Sequence, residues 1–354
     1  MFNSKNCGEK VKTSQPFDCA QDKRPGLAFG VSSVERSGLT LSGASLPRPQ
    51  KLGLAPSNGS RMTRSQGMER WAELISSPEK PIILRGEIWV TPEVLASAGC
   101  SQGPKGLAEL ASAMGADICF FPCSNQSTLS DFKEVVELSH GAGMGCGVTL
   151  NGPFQQLSQE KGLLGVLEEL GKKPLSLQSQ LTRETKKITQ TLRLTEGLGI
   201  DLILIGDDIA YGSGLYFSPF VFRELLKPYY HTLASQISQI QSAAGWHSDG
   251  NVSAILPELV DCGWRFFSLE SEHVNLLNFK QTFGDRVTLI GGIRTIWLTG
   301  EKLNPMKREE FLKEIKTLVR EGGLILASSC GLFDRKFLHT LTETYTMVDN
   351  LKDF

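Results

Sequence analysis

The chain has 354 residues, 21% of them charged, with 37 Lys and Arg against 38 Asp and Glu and a formal net charge of -1. That length suits one large α/β barrel or two smaller domains. So even a balance, with a pI near 6.5, excludes a polyanion-binding protein, and no nucleic acid is expected as a partner.

No apolar run reaches the roughly 18 residues that span a bilayer, and the opening MFNSKNCGEKVKTSQPFD has no hydrophobic signal region. The expectation is a cytoplasmic protein without a membrane partner. Eight cysteines are scattered along the chain, none in a CxxC pair. In a reducing compartment most of them pack as small buried hydrophobes.

Residues 1–64 are rich in Ser, Gly, Pro, Lys and Arg and lack a sustained apolar period. Such a segment buries too little surface to offset its ordering entropy, so it reads as a disordered extension outside the fold. A start of translation at Met62 or Met68 explains its odd composition; a regulatory tail is the other reading. The folded unit is expected over 65–354.

After Met68, short β-rich runs alternate with longer amphipathic stretches. The runs cover 81–90, 116–122, 145–150, 201–206, 242–248, 264–269, 287–292 and 323–329. Helices are expected over 105–115, 130–142, 155–170, 176–198, 219–241, 251–262, 274–283, 306–321 and 334–351. Ser218 before Pro219 reads as a helix cap and first turn, and Ser130 marks another start. Gly263, Gly284 and the Gly322–Gly323 pair sit where helices should stop. Eight strands, each followed by a helix, predict a (β/α)8 TIM-type barrel. The Gly-rich phosphate loop that opens a doubly wound sheet is missing. SAAGWHS is the weakest strand, being poor in β-branched residues.

Catalytic groups of such barrels stand at the C-terminal strand ends. Here those ends carry Arg85 and Glu87 on the first strand and Asn151 on the third. Asp207 and Asp208 end the fourth, and His247 and Asp249 the fifth. Glu270 ends the sixth, Arg294 follows the seventh, and Cys330 ends the eighth. Asp207 and Asp208 are candidate general acids or cation ligands, or one of them caps the following loop. Arg85, Glu87, Asn151 and Arg294 are candidate substrate-binding groups, with an Arg85–Glu87 salt bridge as the structural alternative. His247, Asp249, Glu270 and Cys330 offer imidazole, carboxylate and thiolate, all acceptable to zinc. The competing reading is a hydrogen-bonded His247–Asp249 pair with Cys330 as a packed thiol. Cys119 and Cys123 are expected to be buried, and His140, His231, His273 and His339 to fall on helices or their ends, away from the mouth.

The segments GDDIAYGSGLYFSPFVFRELLKPYY (206–230), HSDGNVSAILPELVDCG (247–263), FGDRVTLIGGI (283–293) and GGLILASSCG (322–331) resemble the uroporphyrinogen decarboxylase-like family. That family includes methyltransferases that work with corrinoid proteins and pass methyl groups to a thiol, and it is related to the cobalamin-independent methionine synthases. The resemblance covers residues 200 to 345 well and 70 to 200 loosely. In the methyltransferase branch it implies zinc held by a His-x-Cys pair and a later Cys on the last strand. His247 and Cys330 stand at two of those positions, Asp249 replaces the first Cys, and Glu270 matches the Glu of the methionine synthases.

True uroporphyrinogen decarboxylases carry an Arg-rich segment after the first strand and a catalytic Asp at the end of the second. Here the first strand supplies the single Arg85, and Pro122 and Cys123 stand where the acid belongs. A substrate with several carboxylates needs several cations. The resemblance therefore favours methyl transfer with zinc and a corrinoid presented by a partner protein. Tetrapyrrole decarboxylation is the runner-up, and a barrel that binds a corrinoid protein without catalysis is the third reading.

Overall fold

In the computed structural model, residues 66–299 and 305–349 are described. The expected 1–64 extension lies outside them.

Among the described residues ten strands follow in chain order. They are β1 (Ile83–Arg85), β2 (Ile118–Pro122), β3 (Gly145–Asn151), β4 (Leu202–Gly206), β5 (Ala210–Tyr211), β6 (Gly214–Leu215), β7 (Ala243–Ser248), β8 (Phe266–Leu269), β9 (Thr288–Ile293) and β10 (Leu324–Ser328). Eight of them form one sheet in the order β1-β10-β9-β8-β7-β4-β3-β2, with every pair parallel, and β5 and β6 form a separate antiparallel hairpin. The remaining seam is tied by Asp117, whose amide donates to the Arg85 carbonyl at 2.9 Å and whose carboxylate accepts from the Arg85 amide at 2.9 Å. The result is the predicted (β/α)8 barrel.

Alternation along the strands divides the core into two. Leu84, Ile118, Phe120, Leu202, Leu204, Phe266, Ile290, Ile325 and Ala327 fill the bore, and the opposite faces pack against the helices. The helix Gln66–Ser76, which periodicity alone did not predict, closes the N-terminal end of the bore. Trp71 and Leu74 join the bore cluster, and Trp71 stacks on Phe266 with centroids 5.7 Å apart. Arg70 of that helix pairs with Asp117.

The weak strand β7 forms despite its composition because it is paired on both sides, to β4 and β8. A Cβ at Gly245 would lie 2.8 Å from Leu204, so only glycine leaves room for that side chain in the bore. The stretch 155–170 divides at Gly162 into Pro153–Lys161 and Leu163–Lys172. Within 219–239, residues Phe222–Leu226 wind as a π-helix, with Lys227 N donating to Phe222 O. Pro228 follows directly and has no N–H to offer, which favours the wider turn. Ser218 caps its helix as expected, accepting from Val221 N at 3.3 Å. The start read at Ser130 instead belongs to Thr128, which forms a capping box with Asp131. Among the described residues no helix is long and apolar enough to cross a membrane.

Candidate metal centre at the barrel mouth

Six potential ligands gather at the C-terminal end in two groups. The donor atoms of Asp208, His247 and Asp249 lie within 4.8 Å of one another, and so do those of Glu270, Glu272 and Cys330. The four expected ligands His247, Asp249, Glu270 and Cys330 are thus divided between the groups, each with a carboxylate added.

His247 is the penultimate residue of β7, on the face that lines the bore. Its Nδ1 lies 3.1 Å from the Ser268 carbonyl and 3.0 Å from the Ser268 hydroxyl. A carbonyl only accepts, so Nδ1 donates and Nε2 keeps its lone pair. Nε2 faces Asp249 at 3.6 Å and Asp208 at 3.9 Å. The chain must turn sharply here, and Gly250 has φ +80° with a Cβ position only 2.6 Å from the backbone of Ala210. The hairpin β5–β6 holds the turn from above, since Asn251 N donates to Tyr211 O at 2.9 Å. Asp208 Oδ1 accepts from the Asp249 amide at 3.0 Å. Burial raises the Asp208 pKa, His247 opposes that rise, and Glu270 adds to it.

In the second group, Cys330 Sγ lies 3.6 Å from Glu270 Oε1 and accepts from Thr295 Oγ1 at 3.3 Å. Burial pushes the Cys330 thiol up, as do the nearby carboxylates of Asp249, Glu270 and Glu272. Glu270 Oε2 accepts from Gly250 N at 2.8 Å and lies 3.6 Å from His273. His273 therefore stands in the turn after β8 beside the site, and not away from the mouth as expected. Glu272, absent from the sequence-derived set, accepts from Thr295 N through Oε1. Its Oε2 is buried and has no hydrogen-bond partner among the described residues. An orphaned carboxylate oxygen beside a thiol is the environment a cation would satisfy. The donors, one imidazole, four carboxylates and one thiol, fit a divalent metal.

The other candidate residues lie apart. Asp207 is fully buried; its carboxylate accepts from Gln155 N at 2.5 Å, Phe154 N at 3.2 Å and Tyr230 Oη at 2.8 Å. It caps the helix Pro153–Lys161, and burial pushes its pKa up to about 7. Arg85 and Glu87 do not pair with each other. Arg85 pairs with Asp349 and lies over the Tyr345 ring at 4.9 Å. Glu87 accepts from Ser328 N at 3.0 Å and from Tyr345 Oη at 3.0 Å. Both side chains lie on the helix side of β1. Arg294 is directed at Glu314, 3.0 Å away in the outer layer. Asn151 shares a register row with Gly206 and His247, and its amide donates to Gln159 at 3.2 Å. Cys119 and Cys123 are buried, as expected.

An aromatic wall flanks the first group. Tyr211 stacks on Tyr216 at 5.8 Å, Tyr216 on Phe154 at 6.5 Å, and Phe154 meets Phe217 edge-on at 5.7 Å. Burial raises the Tyr216 pKa, and Asp208 and Asp249 raise it further.

Residues 133–350, more than half of the 354-residue chain, match the uroporphyrinogen decarboxylase (URO-D) family. The chain belongs to that family. A methylcobamide:CoM methyltransferase, MtaA of Methanosarcina barkeri, is 31% identical over 134 residues, and its counterpart in strain Fusaro is 30% identical over 134. Each match spans 38% of this chain and 37% of the relative, so just over a third of those proteins' length is represented. A solved methyltransferase structure from Methanosarcina mazei superposes with a TM-score of 0.62 at 20% identity, over 80% of this chain and 99% of that one. That likeness supports the fold.

Proposed function

We propose that this URO-D-family barrel is a methyltransferase, moving a methyl group between a corrinoid presented by a partner protein and a thiol acceptor. The observation that supports the reading is that His247 and Asp249 stand in one cluster of potential ligands at the mouth and Glu270 and Cys330 in another, with the two loops joined by the hydrogen bond from Gly250 N to Glu270. The similarity to MtaA, a methylcobamide:CoM methyltransferase, supports the reaction class. The replacement of a soft sulfur ligand by Asp249 sets this chain apart from the pattern that the resemblance implies.

A zinc-class ion bound among these donors would lower the pKa of an acceptor thiol and hold it as thiolate. The chain's own residues do the rest. Ser268 fixes the His247 ring so that Nε2 is turned to the site. Asp208, with its pKa raised by burial, stands 3.9 Å from Nε2 and is suited to accept the proton an acceptor thiol gives up. The Tyr211–Tyr216 wall keeps one flank of the mouth apolar against water.

The test is transfer from methylcobalamin to a small thiol by the zinc-loaded protein, read from the change in the corrinoid spectrum. Turnover that disappears in His247→Ala and Cys330→Ala is expected. Absence of methyl transfer, together with turnover of uroporphyrinogen, would replace this reading with the decarboxylase.

A further inference from the structure

We propose that Glu87 is a positioning residue for Cys330, acting through Ser328 across an opened stretch of the β1–β10 ladder. This rests on the functional reading above for the part Cys330 plays in the reaction, and on geometry alone for how the thiol is held.

The ladder is interrupted where the site begins. Arg85 pairs with Leu326, the two chains part, and pairing resumes at a bridge from Val90 to Leu332. Between these points residues 86–89 of one chain face residues 327–331 of the other, so the second chain carries one extra residue. An extra residue opposite a shorter partner is a β-bulge, and bulges next to active sites re-aim a side chain. Cys330 lies in the longer arc, with its Sγ turned toward Thr295 and Glu270 at the mouth.

Glu87 spans the gap. Its carboxylate accepts from Ser328 N, 3.0 Å from Oε1 and 3.2 Å from Oε2, and also from the Ser328 hydroxyl. Ser328 Oγ in turn accepts from Gly331 N at 3.0 Å, which closes the turn containing Cys330. A hydroxyl has one proton, and giving it to Glu87 leaves the oxygen's lone pairs for Gly331 N. The turn is also fitted against the shorter arc. Gly331 has φ +91°, and an added Cβ would sit 2.7 Å from Trp89 Cβ. Directly beyond it, Leu332 N donates to Trp89 O at 2.9 Å.

A buried carboxylate is costly unless donors meet it. Glu87 is buried and belongs to neither ligand group, yet three donors converge on it: Ser328 N, Ser328 Oγ and Tyr345 Oη. Burial raises its pKa, and these three hydrogen bonds oppose the rise. Two of the donors belong to the arc that bears Cys330, and the third to the helix Arg335–Asp349. The two connections can therefore be cut separately.

The experiment follows alkylation of Cys330 by iodoacetamide in the metal-free full chain, read by peptide mass spectrometry against Cys100, which is also partly exposed. Ser328→Ala and Glu87→Gln are each expected to speed modification of Cys330 roughly tenfold relative to Cys100, because a released turn exposes the thiol and eases its ionisation. The double variant should be no faster than either single one, since both act along one path. Tyr345→Phe cuts only the helix-side bond, so it should lower the urea midpoint and leave the Cys330 rate within about twofold. Far-UV circular dichroism checks that every variant folds. Unchanged Cys330 rates in Ser328→Ala and Glu87→Gln would overturn the proposal. So would equal acceleration in Tyr345→Phe and Glu87→Gln, which would make Glu87 a support of the fold alone. Methyl transfer is not needed for this reading, so a wild type without it would overturn the proposed function only.

Discussion

Glu270 at the end of β8 accepts a hydrogen bond from the Gly250 amide in the loop after β7, at 2.8 Å. This contact joins the two loops that carry the candidate metal ligands, and it explains why a carboxylate is needed at 270 for more than its charge. A hydrogen bond to a charged group contributes about 1.5–3 kcal/mol. Glu270→Ala is therefore expected to weaken zinc affinity more than Glu270→Gln, whose carbonyl can still accept from Gly250. Equal affinities in a zinc titration of the two variants would show that the loop contact has no part in binding.

Gly250→Ala tests the turn itself. The backbone there has φ +80°, and an added Cβ would sit 2.6 Å from the Ala210 carbonyl carbon and 2.7 Å from the Tyr211 amide nitrogen. Neither is a flexible atom, so the hairpin or the loop must shift. The expected outcome is a loss of about 1–3 kcal/mol in denaturant unfolding, together with weaker zinc binding. A variant as stable as the wild type, with intact zinc binding, would contradict the tight packing of hairpin on loop.

The N-terminal plug predicts a plain stability effect. Trp71 is 5% exposed and stacks on Phe266 at the base of the bore. Trp71→Ala should cost about 3–5 kcal/mol, read from the urea midpoint. An unchanged midpoint would mean that the helix Gln66–Ser76 is dispensable to the barrel.

A pH dependence follows from Asp117, buried at the β1–β2 seam. Burial pushes its pKa up to about 6, against the opposing pull of Arg70 and Arg85. A raised acid binds more protons folded than unfolded, so its contribution to stability is present below the unfolded pKa of about 3.9. That contribution is lost as pH rises through about 6. Relative to Asp117→Asn, the wild type should lose stability between these limits, followed by urea unfolding at several pH values. A relative gain across that window would mean that the pairing with Arg70 outweighs burial.

The barrel was legible in the sequence because seven of its strands are short apolar runs between amphipathic stretches. Even the composition-poor β7 falls where the count of strands required it. The strand-end residues were legible as a list but not by direction. Side chains alternate along extended chain, so Arg85 at the end of β1 and Glu87 two residues beyond it both lie toward the helix Arg335–Asp349, and only neighbours decide the parity. Asp207 and Asp208 show the same limit, for one caps a helix and its neighbour faces His247. Glu272 lies past the end of β8 in a turn, where no periodicity marks it, and only the fold brings it beside Cys330.

In the proposed function the Cys330 thiol and the His247 imidazole bind metal at the mouth. Substitution with Co2+, followed by absorption spectroscopy, tests it most directly, because sulfur coordination produces a thiolate-to-cobalt charge-transfer band. That band is expected in the wild-type protein, with its loss in Cys330→Ser and a changed visible spectrum in His247→Ala. A cobalt-loaded wild type without the band, or one whose band survives in Cys330→Ser, would contradict it.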